Sequence, residues 1–228
     1  MPDLLDGRRP RVAPDDPPSR RLQGFVDEVL AGSGRAVWIE GGPGSGKTGL
    51  LAPALAQARA GGSQVAGSSA AHQPGPRLRL NPIMECLGLD PTSRDLRRVL
   101  NAVPTQLVPQ QRPATRGSGG MAAERLMAMF RQLCAAGPLV VAIDDLHLGD
   151  PASIRLWGRL IEQTEHWPLL LLATARPQPD RPHTARPQPD RPDLERVRAT
   201  HNTSSGSTGP QLLRLPPIKI NTQLYPGI

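Results

Sequence analysis

The sequence predicts a three-layer α/β fold, with a central, mainly parallel sheet and helices on both faces. Three observations carry that reading. An apolar run, Ala36–Glu40, leads into Gly41-Gly42-Pro43-Gly44-Ser45-Gly46-Lys47-Thr48 and then into the Ala/Leu-rich stretch Gly49–Arg59, so strand, glycine loop and helix come in that order. A second apolar run, Pro138–Ile143, ends in Asp144-Asp145. A third, Pro168–Ala173, ends in Thr174-Ala175-Arg176. Continuous β-rich apolar runs of this kind suit strands buried on both faces, as in a parallel sheet.

The glycine loop meets the pattern G-x-x-x-x-G-K-[ST] at every fixed position. Its glycines let backbone N–H groups turn inward without a Cβ clash. Those groups and the positive end of the following helix make a cradle for an anion. Gly41, Gly42, Pro43, Gly44, Ser45, Gly46, Lys47 and Thr48 are therefore candidate nucleotide-binding residues. Lys47 reaches for the β- and γ-phosphates, and the Thr48 hydroxyl suits Mg²⁺, a hard cation that takes oxygen ligands. Lys47 is one of only two lysines, the other being Lys219, in a chain whose remaining strong bases are arginines. A compact point charge is the kind a phosphate site uses. The alternative, a glycine-rich turn that happens to hold Lys-Thr, does not explain the strand before it and the helix after it.

Composition bounds the rest. A chain of 228 residues allows one ordinary domain with an appendage and a sizeable core. It carries 27 prolines and 23 glycines but only three Trp, two Phe and one Tyr, so long irregular stretches are expected around that core. The net charge of +7 comes from scattered arginines with acidic residues among them, which reads as a solvated basic surface rather than a nucleic-acid footprint. Cys86 and Cys134 are far apart and show no metal-ligand spacing; they read as small core hydrophobes in a reducing compartment. The N-terminus has no apolar signal region, and the longest apolar runs are too short to span a bilayer. A cytoplasmic protein with no membrane contact is the expectation.

Taken in order, residues 1–20 form an N-terminal segment expected to be poorly ordered. Leu22, Phe25, Val26, Val29 and Leu30 fall at helical spacing within 21–31, and Gly32-Ser33-Gly34 stops that helix. The strand, loop and helix follow, ended by Gly61-Gly62. Gln64–Ser68 is a weak second strand, and 71–82 a Pro/Arg loop. Short helices are predicted over 83–89 and 92–102, and a loop over 103–120. Met121–Ala136 is amphipathic, with Leu126, Met129, Phe130 and Leu133 on one face. After the strand ending in Asp144 comes a helix over 152–163. The domain closes with the strand over 168–176, giving a core domain of residues 21–176. Beyond it, TARPQPDRP occurs at 174–182 and again at 184–192, a tandem duplication. Two Pro/Arg copies cannot build a solenoid, so 177–210 reads as a Pro/Arg/Ser-rich linker. Residues 211–228 hold a last strand at 211–215 and a tail.

Asp144 and Asp145 complete the expected site. In a parallel sheet, ligands bind at the carboxyl ends of strands, and the two motifs are expected there on neighbouring strands. Asp144 would hold Mg²⁺, and Asp145 would orient or deprotonate an attacking water. A helix cap is the alternative for the pair when it stands without the loop. Arg176, closing the next strand, would sense the γ-phosphate and stabilise transition-state charge; a solvent-exposed arginine before Pro177 is the competing reading. His147 reads as structural.

The residues Gly-Gly-Pro-Gly-Ser-Gly-Lys-Thr (41–48), Val-Val-Ala-Ile-Asp-Asp-Leu-His-Leu-Gly-Asp-Pro-Ala-Ser (140–153) and Leu-Leu-Leu-Ala-Thr-Ala-Arg-Pro (170–177) together resemble the ATPase module of signal-transduction NTPases of the STAND class, relatives of AAA-type ATPases. The likeness is to the N-terminal module of large ATP-binding LuxR-type transcriptional regulators and covers about 20–176. It implies a three-layer P-loop NTPase fold, ATP and Mg²⁺ as ligands, and a switch whose slow hydrolysis repacks attached domains. Protein partners or further C-terminal domains are implied; a helix-turn-helix has no place in this chain, so direct DNA binding is not expected, and the chain reads as a truncated member. Two other readings stay open: a small-molecule or nucleotide kinase on the same fold, and a non-catalytic interaction fragment.

Overall fold

Five parallel strands form one sheet in the order β2-β3-β4-β1-β5. The computed structural model describes residues 17–71, 80–89, 118–177, 192–203 and 210–215. Along the chain these hold α1 (Pro17–Leu30), β1 (Arg35–Glu40), α2 (Lys47–Ala60), β2 (Gln64–Ser69), α3 (Asn81–Cys86), α4 (Ser118–Ala136), β3 (Leu139–Asp144), a 3-10 turn (Leu146–Leu148), α5 (Pro151–Gln163), β4 (Leu169–Ala175), α6 (Pro192–Thr203) and β5 (Gln211–Arg214). This is the three-layer α/β P-loop fold that the sequence predicts.

Its layers follow from the alternation of side chains along each strand. Val37 and Ile39 of β1, Val140 and Ala142 of β3, and Leu170 and Leu172 of β4 face one way, onto Leu22, Val26 and Val29 of α1 and Leu50, Ala54 and Ala58 of α2. Ala36, Trp38, Val141, Ile143, Leu171 and Ala173 face the other way, onto a larger core with Ile83, Leu126, Phe130, Leu156, Trp157 and Leu160. Every residue of β1, β3 and β4 is buried, which is why these strands read as unbroken apolar runs. Each fully buried Leu or Ile contributes roughly 2 kcal/mol relative to exposure. An ion pair and a ring contact join the start of β1 to α1: Arg35 Nε donates to Glu28 at 2.6 Å, and its guanidinium lies 4.9 Å from the Phe25 ring centre.

The structure departs from the sequence reading at several points. β4 lies between β1 and β3, so the glycine loop and the Asp144 strand are not neighbours. Strand order is set by which crossover helix covers which face, and no local pattern encodes it. α1 begins at Pro17 rather than residue 21, within a segment read as poorly ordered, because Pro suits a first helical turn. α3 ends at Cys86, before Gly88, whose φ of 69° leaves helical space. α4 begins at Ser118 rather than Met121. The stretch read as linker over 177–210 contains α6, whose Leu194 and Val197 are buried against the core. Pro192, the first-turn acids Asp193 and Glu195, and Leu194 and Val197 at i, i+3 are weak helix signals inside a Pro/Arg-rich stretch; what the helix docks on includes an Arg155–Asp193 contact of 2.8 Å to α5. The first copy of the duplication begins inside β4 and the second ends where α6 starts. The helix predicted over 92–102 lies outside the described residues, as does most of the loop over 103–120. Among the described residues, no helix is long and apolar enough to cross a membrane.

Candidate phosphate and cation site

The loop from Gly41 to Gly46 leaves the carboxyl end of β1 and turns directly into α2. Gly41 N–H still bonds to Ala175 O of β4 at 3.3 Å, and Ser45 N–H closes a tight turn on Gly42 O at 3.2 Å. Gly44 and Gly46 take φ of 72° and 91°, in the left-handed region where a Cβ is strained. At Gly41 the constraint is different: a Cβ there would lie 2.2 Å from Ser45 Oγ and 3.2 Å from Leu215 Cβ, so the Ser45 side chain would have to shift. Gly42 would meet nothing within 4 Å, so sterics alone do not require it. Gly46 caps α2 without a side-chain bond, which leaves the first amides of a 14-residue helix turned toward the loop. That fits an anion.

Lys47 is the first residue of α2 and is 8% exposed. Its Nζ donates to Gly41 O at 2.7 Å and to Gly42 O at 2.9 Å. An ammonium has three protons, so the loop's own carbonyls brace the lysine while one donor remains for a phosphate oxygen. Burial lowers its pKa from the usual lysine range; the Asp145 and Asp144 carboxylates oppose that shift, and the Arg176 charge adds to it. Arg176 itself, one residue past β4, is exposed on the same rim, so its charge is felt at Lys47 from the solvent side.

Thr48 Oγ1 donates to Asp144 Oδ2 at 2.7 Å. The other oxygen of Asp144, Oδ1, accepts a short hydrogen bond from Thr174 Oγ1, and that same hydroxyl accepts the Asp145 N–H at 2.8 Å. Thr174 is fully buried and Asp144 nearly so. The strand inserted between β1 and β3 thus supplies the residue that orients Asp144. A hydroxyl and a carboxylate oxygen, side by side at the end of the phosphate cradle, are the donor set a Mg²⁺ takes; Thr48 and Asp144 are the residues that would hold it. When bound, such an ion neutralises charge on phosphate oxygens.

Asp145 takes φ 53° and ψ 39°, a left-handed conformation that Asp tolerates better than most residues. It turns the chain out of β3 into the 3-10 turn and leaves its Oδ1 3.8 Å from His147 Nδ1. His147, read as structural, therefore stands beside the residue expected to handle water. Asp150, within the same phrase, has a separate task. Its Oδ1 accepts from Ala152 N and Ser153 N, both at 3.0 Å, and from Leu80 N at 3.1 Å. It caps α5 and anchors the start of α3, and Asp-Pro-Ala-Ser at a helix start is the sequence signal that could have found it.

The site as built brings Gly41–Thr48, Asp144 and Asp145 together, with Arg176 at the rim. The sequence reading missed the orienting bond from Thr174 and the surroundings of Glu40, the carboxylate that ends β1. Between α2 and the β2–β3 edge a mainly apolar cleft runs up to the pair, lined by Thr48, Leu51, Leu55, Gly67, Ala142 and Asp144.

A family model described as an AAA ATPase domain matches residues 15–172. The chain is 30% identical over 177 residues to an uncharacterized protein of Rhizobium meliloti (strain 1021), a match covering 66% of this chain and 17% of that protein. It thus spans about a sixth of that relative's length, from the 17% coverage. Among solved structures it is similar to Cdc6p from Pyrobaculum aerophilum, with a TM-score of 0.52 at 15% identity over 93% of this chain and 48% of that one. It also matches a chain in the structure of Drosophila ORC bound to AT-rich DNA and Cdc6, with a TM-score of 0.42 at 10% identity over 91% and 59%. At these identities the first structural likeness shows a shared fold alone.

Proposed function

Because the chain belongs to the AAA ATPase family, we propose that it is a Mg²⁺-dependent ATP and ADP switch in signal transduction or transcriptional regulation. The family and the fold make it a P-loop nucleotide-binding module. The observation that carries the finer reading is the 2.7 Å bond from Thr48 to Asp144, which joins the loop motif to the carboxylate motif. Lys47 binds the β- and γ-phosphates, Thr48 and Asp144 hold the ion, and Asp145 positions water. In this reading Arg176, exposed one residue past β4 and felt as a charge at Lys47, senses the γ-phosphate. Asp145, in a turn beside His147 with its Oδ1 3.8 Å from Nδ1, is the residue this reading gives to slow hydrolysis that depends on partner domains. The 140–153 phrase and its likeness to the STAND and LuxR-type modules support the switch reading. Nucleotide exchange would then change how this module packs on a protein partner or on further domains.

The test is titration of the purified chain with fluorescent ATP and ADP analogues, with and without Mg²⁺, beside Lys47→Ala. Micromolar, Mg²⁺-dependent affinity that disappears in the variant is the expected result. A folded wild type that binds neither nucleotide overturns the proposal. Turnover that requires a phosphoryl acceptor would make the protein a kinase instead.

A further inference from the structure

Glu40 is the last residue of β1 and the one before Gly41. Its backbone is fixed from both sides: it pairs with Ala175 of β4 and Arg214 of β5, and its carbonyl accepts Leu215 N–H at 2.7 Å. Its carboxylate is only 4% exposed and draws donors from three elements. Trp38 Nε1 donates to Oε1 at 3.0 Å. Arg198 of α6 contacts Oε1 through Nε at 2.5 Å and donates to Oε2 through a terminal nitrogen at 3.1 Å. Arg214, exposed, lies 3.9 Å from Oε2. A buried carboxylate is costly unless paired, so most of what makes this one tolerable comes from Arg198.

Nothing in the phosphate chemistry uses Glu40, yet it is one peptide bond from the loop's first carbonyl. Gly41 O receives Lys47 Nζ at 2.7 Å. A chain of direct contacts therefore runs from Arg198 to Glu40, along the backbone to Gly41, and on to the lysine. At its far end, α6 is the crossover between β4 and β5 and packs on α5, β1 and β5. Among its described side chains, the apolar anchors are Leu194 and Val197. Beside those anchors, the Arg198 contact with the nearly buried Glu40 carboxylate ties the helix to β1.

We propose that Glu40 and Arg198 form a latch coupling the docking of α6 to the shape of the phosphate loop, so that nucleotide binding and α6 docking favour each other. Both are positioning residues, acting on phosphate through Gly41 and Lys47. The proposal rests on the nucleotide-binding reading above. Coupling of this kind is reciprocal: whatever affinity the docked helix adds for nucleotide, nucleotide returns as stability of the docked helix.

The experiment uses the full 228-residue chain, a fluorescent ADP analogue with Mg²⁺, and amide hydrogen exchange over residues 192–203. In the wild type, saturating Mg²⁺·ADP slows exchange in α6. In Arg198→Met, affinity falls about tenfold and nucleotide no longer slows exchange in α6; Glu40→Gln behaves alike, and Arg198→Lys recovers part of both. A purely structural ion pair would raise α6 exchange without changing its response to nucleotide. If Arg198→Met does not fold, Glu40→Gln/Arg198→Met, which leaves no buried charge alone, takes its place with the same expectation. Unchanged affinity and unchanged nucleotide-dependent protection in the variants overturn the latch and leave the nucleotide reading standing. A folded wild type that binds no nucleotide overturns both.

Discussion

Thr48 and Asp144 are separated by 96 residues of chain and joined by a 2.7 Å hydrogen bond. One lies in the first turn of α2 and the other closes β3, with β4 between β3 and the strand that leads into the loop. The pair turns two motifs, neither of which defines a site by itself, into one set of oxygens at the end of a phosphate cradle.

Lys47→Ala is expected to weaken Mg²⁺·nucleotide affinity by about a hundredfold, since a charge-assisted bond to phosphate contributes roughly 3 kcal/mol. The fold should persist, because among the described residues Lys47 Nζ donates to the carbonyls of Gly41 and Gly42, both within its own loop. Titration beside a circular dichroism melt measures both. A variant that keeps wild-type affinity would remove Lys47 from the site.

Asp144→Asn should leave Mg²⁺-free binding nearly intact and abolish the gain from Mg²⁺, because the amide has only one acceptor oxygen and no charge. Thr174→Val takes away the orienting hydroxyl and should reduce that gain by roughly tenfold, the effect of about 1–2 kcal/mol from one buried bond. Titrating Mg²⁺ at fixed nucleotide reads the two effects; an unaltered Mg²⁺ response in Asp144→Asn would contradict the assignment.

Two glycine substitutions should move stability in opposite directions. A Cβ on Gly34 would lie 2.1 Å from Trp167 O and 2.3 Å from Thr164 O, both backbone atoms. Gly34→Ala is therefore expected to destabilise by roughly 3 kcal/mol or more. A Cβ on Gly24, inside α1, meets nothing within 4 Å. Gly24→Ala should stabilise by about 0.5–1 kcal/mol. Urea unfolding of both variants decides it.

Burial pushes the Cys86 and Cys134 thiols up to about 12. Their stabilising contribution is complete below the ordinary thiol value of 9.0 and fades as pH climbs from there toward about 12, because only the unfolded chain ionises freely in that window. Unfolding free energy should thus decline across that range. At neutral pH neither thiol should be alkylated until denaturant is added; rapid labelling of the folded protein would place a cysteine at the surface.

The loop residues 41–48, the buried strands and the Asp144-Asp145 pair were legible because each is a local pattern with one physical cause: backbone that needs glycine, strands covered on both faces, carboxylates where a strand ends. α6 was barely legible, since Leu194 and Val197 make a single i, i+3 pair in a Pro/Arg-rich stretch, and Asp193 and Arg198 find their partners in α5 and β1 only in the folded chain. Glu40 looked like the ordinary polar end of a strand until Trp38, Arg198 and Arg214 converged on it.

The sequence by itself determined the layers, the glycine loop between strand and helix, and the carboxylate pair that ends β3, since these follow from residue type and short-range order. The tertiary structure alone decided that β4 lies between β1 and β3. That placement brings Thr174 onto Asp144 and stretches the crossover to β5 across β1, setting Arg198 against the carboxylate that ends it. Contacts between residues dozens of positions apart depend on strand order, and strand order is an outcome of packing the whole chain.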